Sequence, residues 1–197
     1  MIELPDHLGP SSATPALLDF GVTLRPATGG PVQKVQRAGS RYRVEFTLPA
    51  MYADDARVFV SRLIEAKRIG HLVIPFPLAI SQGAPGSPVV DGAGQTGTTL
   101  NIRGLIPGYL FREGYWLTIK DAYGQRYLFN CRSTVPADTN GEATIKIEPP
   151  LRVPHPDGAQ ILLANPEIEG FLDGGEWTWT ISPTGITELS FTVEEVA

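Results

Sequence analysis

Two hydrophobic periods divide this chain, a period of two over most of its length and a helical period in a single stretch. Tyr42, Val44, Phe46 and Leu48 are apolar and alternate with Arg41, Arg43, Glu45 and Thr47. That pattern predicts a strand with one buried and one wet face, ended by Pro49. A helix is predicted over Asp54–Arg68, with Ala56, Phe59, Val60, Leu63 and Ile64 as its apolar stripe. Asp54 and Asp55 suit the positive end of its dipole, Lys67 and Arg68 suit the negative end, and Gly70 stops it. His71–Ile80 reads as another strand, which Pro75 and Pro77 confine to a sheet edge or break in two.

Near the carboxyl end, Trp177–Ile181 and Glu188–Val193 alternate again. Between the two ends lie roughly 90 residues of Gly/Pro-punctuated pattern with no helical period. The strands expected there are Thr99–Arg103, Trp116–Lys120, Gln125–Arg132, Glu142–Ile147 and Gln160–Ala164, with tight turns at Asp121–Gly124 and Asp138–Gly141. Five short strands with such turns predict a small OB-like or SH3-like β-barrel. The expected fold class is therefore mainly β: a β-sandwich with one packed α-helix, plus an inserted small OB-like β-barrel. The sandwich takes residues 1–83 with 173–197 and the barrel takes 84–172. Gly83–Pro88 and Asn165–Gly175 read as the linkers. Residues 1–19, with Pro5, Pro10 and Pro15, read as an extended arm, free in a monomer or lying on a neighbour in an oligomer.

Composition narrows the function. Hydrophobic residues make up 42% and charged residues 19%, enough to build a core. A net charge of −5 argues against general nucleic-acid binding by phosphate neutralisation. The one cysteine, Cys131, lies in a strand-like run and reads as a buried, inert thiol, which suits a reducing compartment. No signal peptide is visible at the amino end, and no apolar run approaches the length of a membrane span.

Candidate chemistry is sparse. His7, His71 and His155 have no metal-ligand spacing, so neither a metal nor another cofactor is expected. There is no Gly-x-Ser-x-Gly and no identifiable nucleophile–base pair, so the chain is not expected to be an enzyme. Gly92–Gly97 lacks the Gly-Lys-Ser/Thr ending of a phosphate loop and precedes a β segment, so it reads as a flexible domain junction. Asp138–Glu142 lacks the ligand spacing of a calcium loop and reads as a turn. Glu167, Glu169, Asp173 and Glu176 read as a solvated acidic surface.

Aromatic residues crowd the barrel's start at Tyr109, Phe111, Tyr115 and Trp116, and Trp177 shares a face with Trp179. Core packing and a subunit interface both account for them. Tyr109 and Tyr115 are also the candidate ligand platform if the chain is a carbohydrate-binding module. Arg25, Lys34, Arg37, Arg41 and Arg43 make the region before the helix basic while the carboxyl half holds more acid, an asymmetry suited to head-to-tail contact between copies.

The run Arg37–Pro49 with its following helix and Ile69-Gly70 resembles the amino-terminal region of phage tail-tip proteins. Gly94–Leu100, Gly114-Tyr-Trp, Asp138–Gly141 and Pro149–Arg152 together are similar to minor tail proteins of long-tailed phages and prophages, closest in layout to the distal tail protein. The resemblance covers most of the chain after residue 20. It implies a tail-tube-like sandwich, an inserted OB-like domain and a structural role in the virion. The chain would form a hexameric ring joining the tail tube protein to the tip hub protein, assembled in the bacterial host cytoplasm. DNA would pass through the lumen without specific binding, and the barrel would face tail fibres or a host surface glycan. A tail-tube or tail-terminator subunit is the neighbouring possibility within the same class. The residues expected at ring contacts are Leu17 and Leu18 in the arm, Arg41 and Arg43 in the basic strand, and Phe76 in the edge strand.

Overall fold

The computed structural model describes residues 1–5, 8–181, 183 and 185–196, so His7 lies outside the described residues. The chain begins with β1 (Ile2–Glu3), β2 (Ser12–Leu18) and a hairpin of β3 (Val22–Leu24) with β4 (Gln33–Val35). It continues through β5 (Arg41–Thr47), β6 (Met51–Tyr52), the helix α1 (Ala53–Ile69) and β7 (Leu72–Pro75). Then come β8 (Gly86–Val90), β9 (Gly97–Leu105), β10 (Leu110–Phe111), β11 (Trp116–Lys120), β12 (Arg126–Cys131), β13 (Val135–Pro136), β14 (Ala143–Leu151) and β15 (Gln160–Leu162). The described chain closes with β16 (Glu167–Leu172), β17 (Ile186–Thr187) and β18 (Ser190–Glu195). It is mainly β, with 43% strand, 9% helix and one helix among the described residues.

Six strands form one sheet in the order β1-β7-β16-β18-β5-β2. Tyr42, Val44 and Phe46 of β5 point one way, in register with Phe191 and Val193 of β18, and join a core completed by Ile168, Leu172 and the helix. α1 buries Ala56, Phe59, Leu63 and Ala66, so its stripe is narrower than the sequence pattern indicates and Ile64 faces outward. Phe46 and Phe59 are fully buried, and each such side chain contributes about 1.5–3 kcal/mol of hydrophobic stabilisation. Where β16 crosses β18, Gly170 is required: a Cβ there would lie 2.0 Å from the Glu194 carbonyl oxygen.

The barrel is closed, in the order β11-β12-β14-β9-β8-β15. It is inserted between β7 and β16, which pair antiparallel with Glu167 opposite Pro75, so the whole barrel interrupts what would otherwise be a hairpin. Its core holds Phe111, Leu117, Ile119, Phe129, Ile145 and Ile147.

Four expectations need correction. The insertion does not run to residue 172, because β16 belongs to the six-stranded sheet. Nor does it begin after a free linker: Gly86–Val90 is a sixth barrel strand, and of Gly92–Gly97 residues 92–96 form the loop between two barrel strands while Gly97 opens β9. Residues 12–18 are not loose arm but a seven-residue edge strand laid along β5. Trp177–Ile181 pairs with no strand; Trp177 instead packs on the sheet core and stacks on Trp179 at 5.0 Å.

Cys131 is free and buried in the barrel, and burial pushes its thiol pKa up. In the native protein it should resist thiol-reactive disulfide reagents and become labelled only on unfolding. Rapid native labelling would contradict this placement.

Candidate functional site

Sheet and barrel are locked together. Leu128 of β12 lies in the sheet's core, and Trp116 packs there at 5.0 Å from Tyr42 and 4.6 Å from Phe76. Gln82 anchors the first crossing: its amide donates to the Trp116 carbonyl at 2.7 Å and to the Leu163 carbonyl, and its Oε1 accepts from the Trp116 N–H at 2.6 Å. Two buried ionic clusters complete the junction. Glu195 accepts from the Tyr42 and Leu128 backbone N–H groups, both at 2.7 Å, and from Arg152 at 2.7 Å. Arg126 pairs with Glu167 and lies 3.7 Å from Glu169, which also lies 3.3 Å from His71. Glu167 and Glu169 are therefore not part of a solvated acidic surface. The barrel is a fixed projection of the sheet rather than a swinging domain.

Against this frame the expected contact residues separate. Leu17 is exposed on the edge strand and Leu18 is half-buried. Arg41 donates to Glu194 at 2.9 and 2.5 Å and lies 5.1 Å from the Phe20 ring centroid, and Arg43 pairs with Asp173 at 3.2 Å. Both arginines are thus engaged within the chain. Phe76 is only 6% exposed and packs on Trp116, which withdraws it from any contact surface. The ligand platform dissolves as well. Tyr109 donates its hydroxyl to the Gln82 carbonyl at 2.5 Å and meets Phe111 edge-on, burial pushing its pKa up to about 12. Tyr115 is half-buried against the barrel core.

What the sequence pattern does not single out is the β3–β4 hairpin. All six residues of its two strands are exposed, Val22, Leu24 and Val35 among them, flanked by exposed Phe20 and Val32. A two-stranded ribbon without a covering surface is marginal in water. Residues 20–40 carry Arg25, Lys34 and Arg37 and no acid, and Lys34 pairs with the preceding Asp19 at 3.0 Å. A second apolar surface lies elsewhere: a groove of about 370 Å³ lined by Val60, Ile64, Trp179 and Ile181. It reaches the amino end of α1, where Asp54 and Asp55 stand, and β17, which Glu188 follows. The long edge at β2, by contrast, is blunted by Pro15, which has no N–H to offer a partner strand.

A scan against protein-family models finds no match, and a search of curated proteins finds no significant match. Among the described residues no three His, Cys, Asp or Glu side chains are grouped to hold a metal ion, and no helix is long and apolar enough to cross a membrane.

Proposed function

We propose that this chain is a structural subunit of a phage tail tip of the distal-tail type, assembling head to tail into a ring with the barrel held outside it. The observation that carries the reading is the pair of separate, unfilled apolar surfaces on one chain. The β3–β4 hairpin of one copy lies in the α1–Trp179 groove of the next, with Arg25 and Arg37 facing the end of the groove beside Asp54 and Glu188. Two different patches meeting make a heterologous contact, which generates a closed ring when the rotation closes. The locked junction supports the same reading, since a ring needs each subunit to hold its projection at one angle. A net charge of −5 suits a lumen that passes DNA without gripping it.

The test is native mass at high concentration, alone and beside tail tube and hub proteins. The wild type should give closed oligomers. Leu24→Asp with Val35→Asp, at positions exposed in the single chain, should give a folded monomer. A wild type that stays monomeric throughout overturns the reading.

A further inference from the structure

The β3–β4 hairpin stands in solvent, yet its root is tied through one side chain. Asp19 Oδ1 accepts the Gly21 N–H at 2.8 Å and the Ser40 hydroxyl at 3.3 Å, and Asp19 Oδ2 lies 3.0 Å from the Lys34 ammonium. The Ser40 Oγ in turn accepts the Phe20 N–H at 3.2 Å. Residues 19–21 lead into the hairpin and residues 34–40 lead out of it, so these contacts join its two limbs at the base. Ser40 is 4% exposed, and β5 begins at the next residue. That next residue, Arg41, pairs with Glu194 of β18 and lies 5.1 Å from the Phe20 ring centroid, so the root is fastened to the six-stranded sheet.

Gly21 shows independently how closely the limbs approach. A Cβ there would lie 2.8 Å from Asp19 Oδ1 and 3.0 Å from the Val35 carbonyl oxygen, so a glycine alone fits without a shift. The register explains what the arrangement presents. Val22 stands opposite Val35 and Leu24 lies two residues on, so all three share one face of the ribbon. Lys34 belongs to the other face and is drawn down to Asp19. One face is thus pinned and polar, the other free and apolar.

The ion pair is the weaker part of the clasp, because both side chains are substantially solvated. The stronger part is the carboxylate's hydrogen bonding to Gly21 and Ser40, which is charge-assisted. The Gly21 N–H first and Lys34 second hold the Asp19 carboxyl below the usual carboxylate range, so it is ionised at neutral pH. We propose that Asp19 is the positioning residue of the hairpin, setting β3–β4 in one pose in the free chain so that Val22, Leu24 and Val35 meet the next copy's groove already ordered. What the hairpin meets rests on the ring reading; how it is held does not. A segment ordered beforehand binds more tightly than one ordered on contact.

The first test uses the full chain carrying Ile181→Asp, which puts a charge at an 83% exposed position of the groove and leaves the hairpin native, so the chain should be a monomer. Millisecond hydrogen-exchange labelling reads the amides of Val22–Leu24 and Gln33–Val35. Adding Asp19→Ala should speed their exchange about tenfold or more while β5 and β18 exchange as before. Asp19→Asn keeps an oxygen for Gly21 and Ser40 and should restore much of the protection. Unchanged hairpin exchange in Asp19→Ala, an equal loss across β5 and β18, or no recovery in Asp19→Asn would each overturn the proposal. The second test is native mass without Ile181→Asp. Asp19→Ala should raise the concentration for half-assembly about tenfold or more; an unchanged midpoint would overturn the positioning role. A wild type that never assembles removes the ring reading, and the exchange result, read on single chains, still decides whether Asp19 holds the hairpin.

Discussion

Glu195→Ala should destabilise the fold by roughly 3–5 kcal/mol, the cost of breaking a buried ion pair by removing one partner. The Glu195 side chain has no exposed surface and that of Arg152 is 3% exposed. One carboxylate serves three elements: the Tyr42 N–H on β5, the Leu128 N–H on β12, and the Arg152 guanidinium just after β14. Its removal leaves two buried N–H groups and a buried cation, whose Nε already lacks a partner. Urea unfolding measures the loss. Glu194→Ala is the control one residue away. Its pair with Arg41 is partly solvated, with side chains 22% and 21% exposed, and it should cost about 1 kcal/mol or less. Equal effects at both positions would mean that the junction does not depend on the buried pair.

Acidification should destabilise the protein through His155 in a window set by two pKa values. The folded ring titrates near 4 and the unfolded ring near 6.5, burial being the main cause, with Arg152 opposing and Asp121 favouring protonation. Between these values the unfolded chain binds a proton that the folded chain refuses. Stability is therefore complete above about pH 6.5 and falls as pH drops towards 4, at about 1.4 kcal/mol per unit and roughly 3 kcal/mol in all. His155→Phe should lack this slope, so the difference between the two unfolding profiles isolates it from carboxylate titration. Asp157, held down to about 2 first by its hydrogen bond from Arg103, titrates below the window. Parallel profiles for wild type and variant would show that His155 does not carry the effect.

The parts that were legible in the sequence are those whose partners lie close along the chain or whose period is clean. β5 shows its two faces residue by residue, and α1 shows stripe and charged ends together. The Asp121–Gly124 turn announces the β11–β12 hairpin. β8 was hidden because Gly86 and Pro88 resemble linker chemistry; its pairing with β9 shifts register between Gly86 and Val89, where a proline leaves no ladder bond broken. β16 was hidden by charge. Glu167 and Glu169 alternate with Ile168 and Gly170, but a glutamate is read as wet unless its partner Arg126, some 40 residues away, is known to be buried beside it. β2 was hidden by Pro15, which only an edge position tolerates.

The candidate surfaces were less legible for the same reason. Exposure of the β3–β4 hairpin depends on what fails to cover it, which no local pattern encodes. His155, between Pro154 and Pro156, reads as loop, and only the folded barrel shows that its ring is enclosed without a partner.

The position of β18 between β16 and β5 has a consequence for how the chain is made. Of the strands described, β18 is the last to be synthesised, and it is also central to the six-stranded sheet. The barrel, contiguous from Gly86 to Leu162, is translated in full before either β16 or β18 exists. It can close while β5 still waits for the strand that pairs with it. When β18 arrives it fills the sheet's central gap and delivers Glu195 to Arg152, so the step that finishes the sheet is the same step that fastens the finished barrel to it.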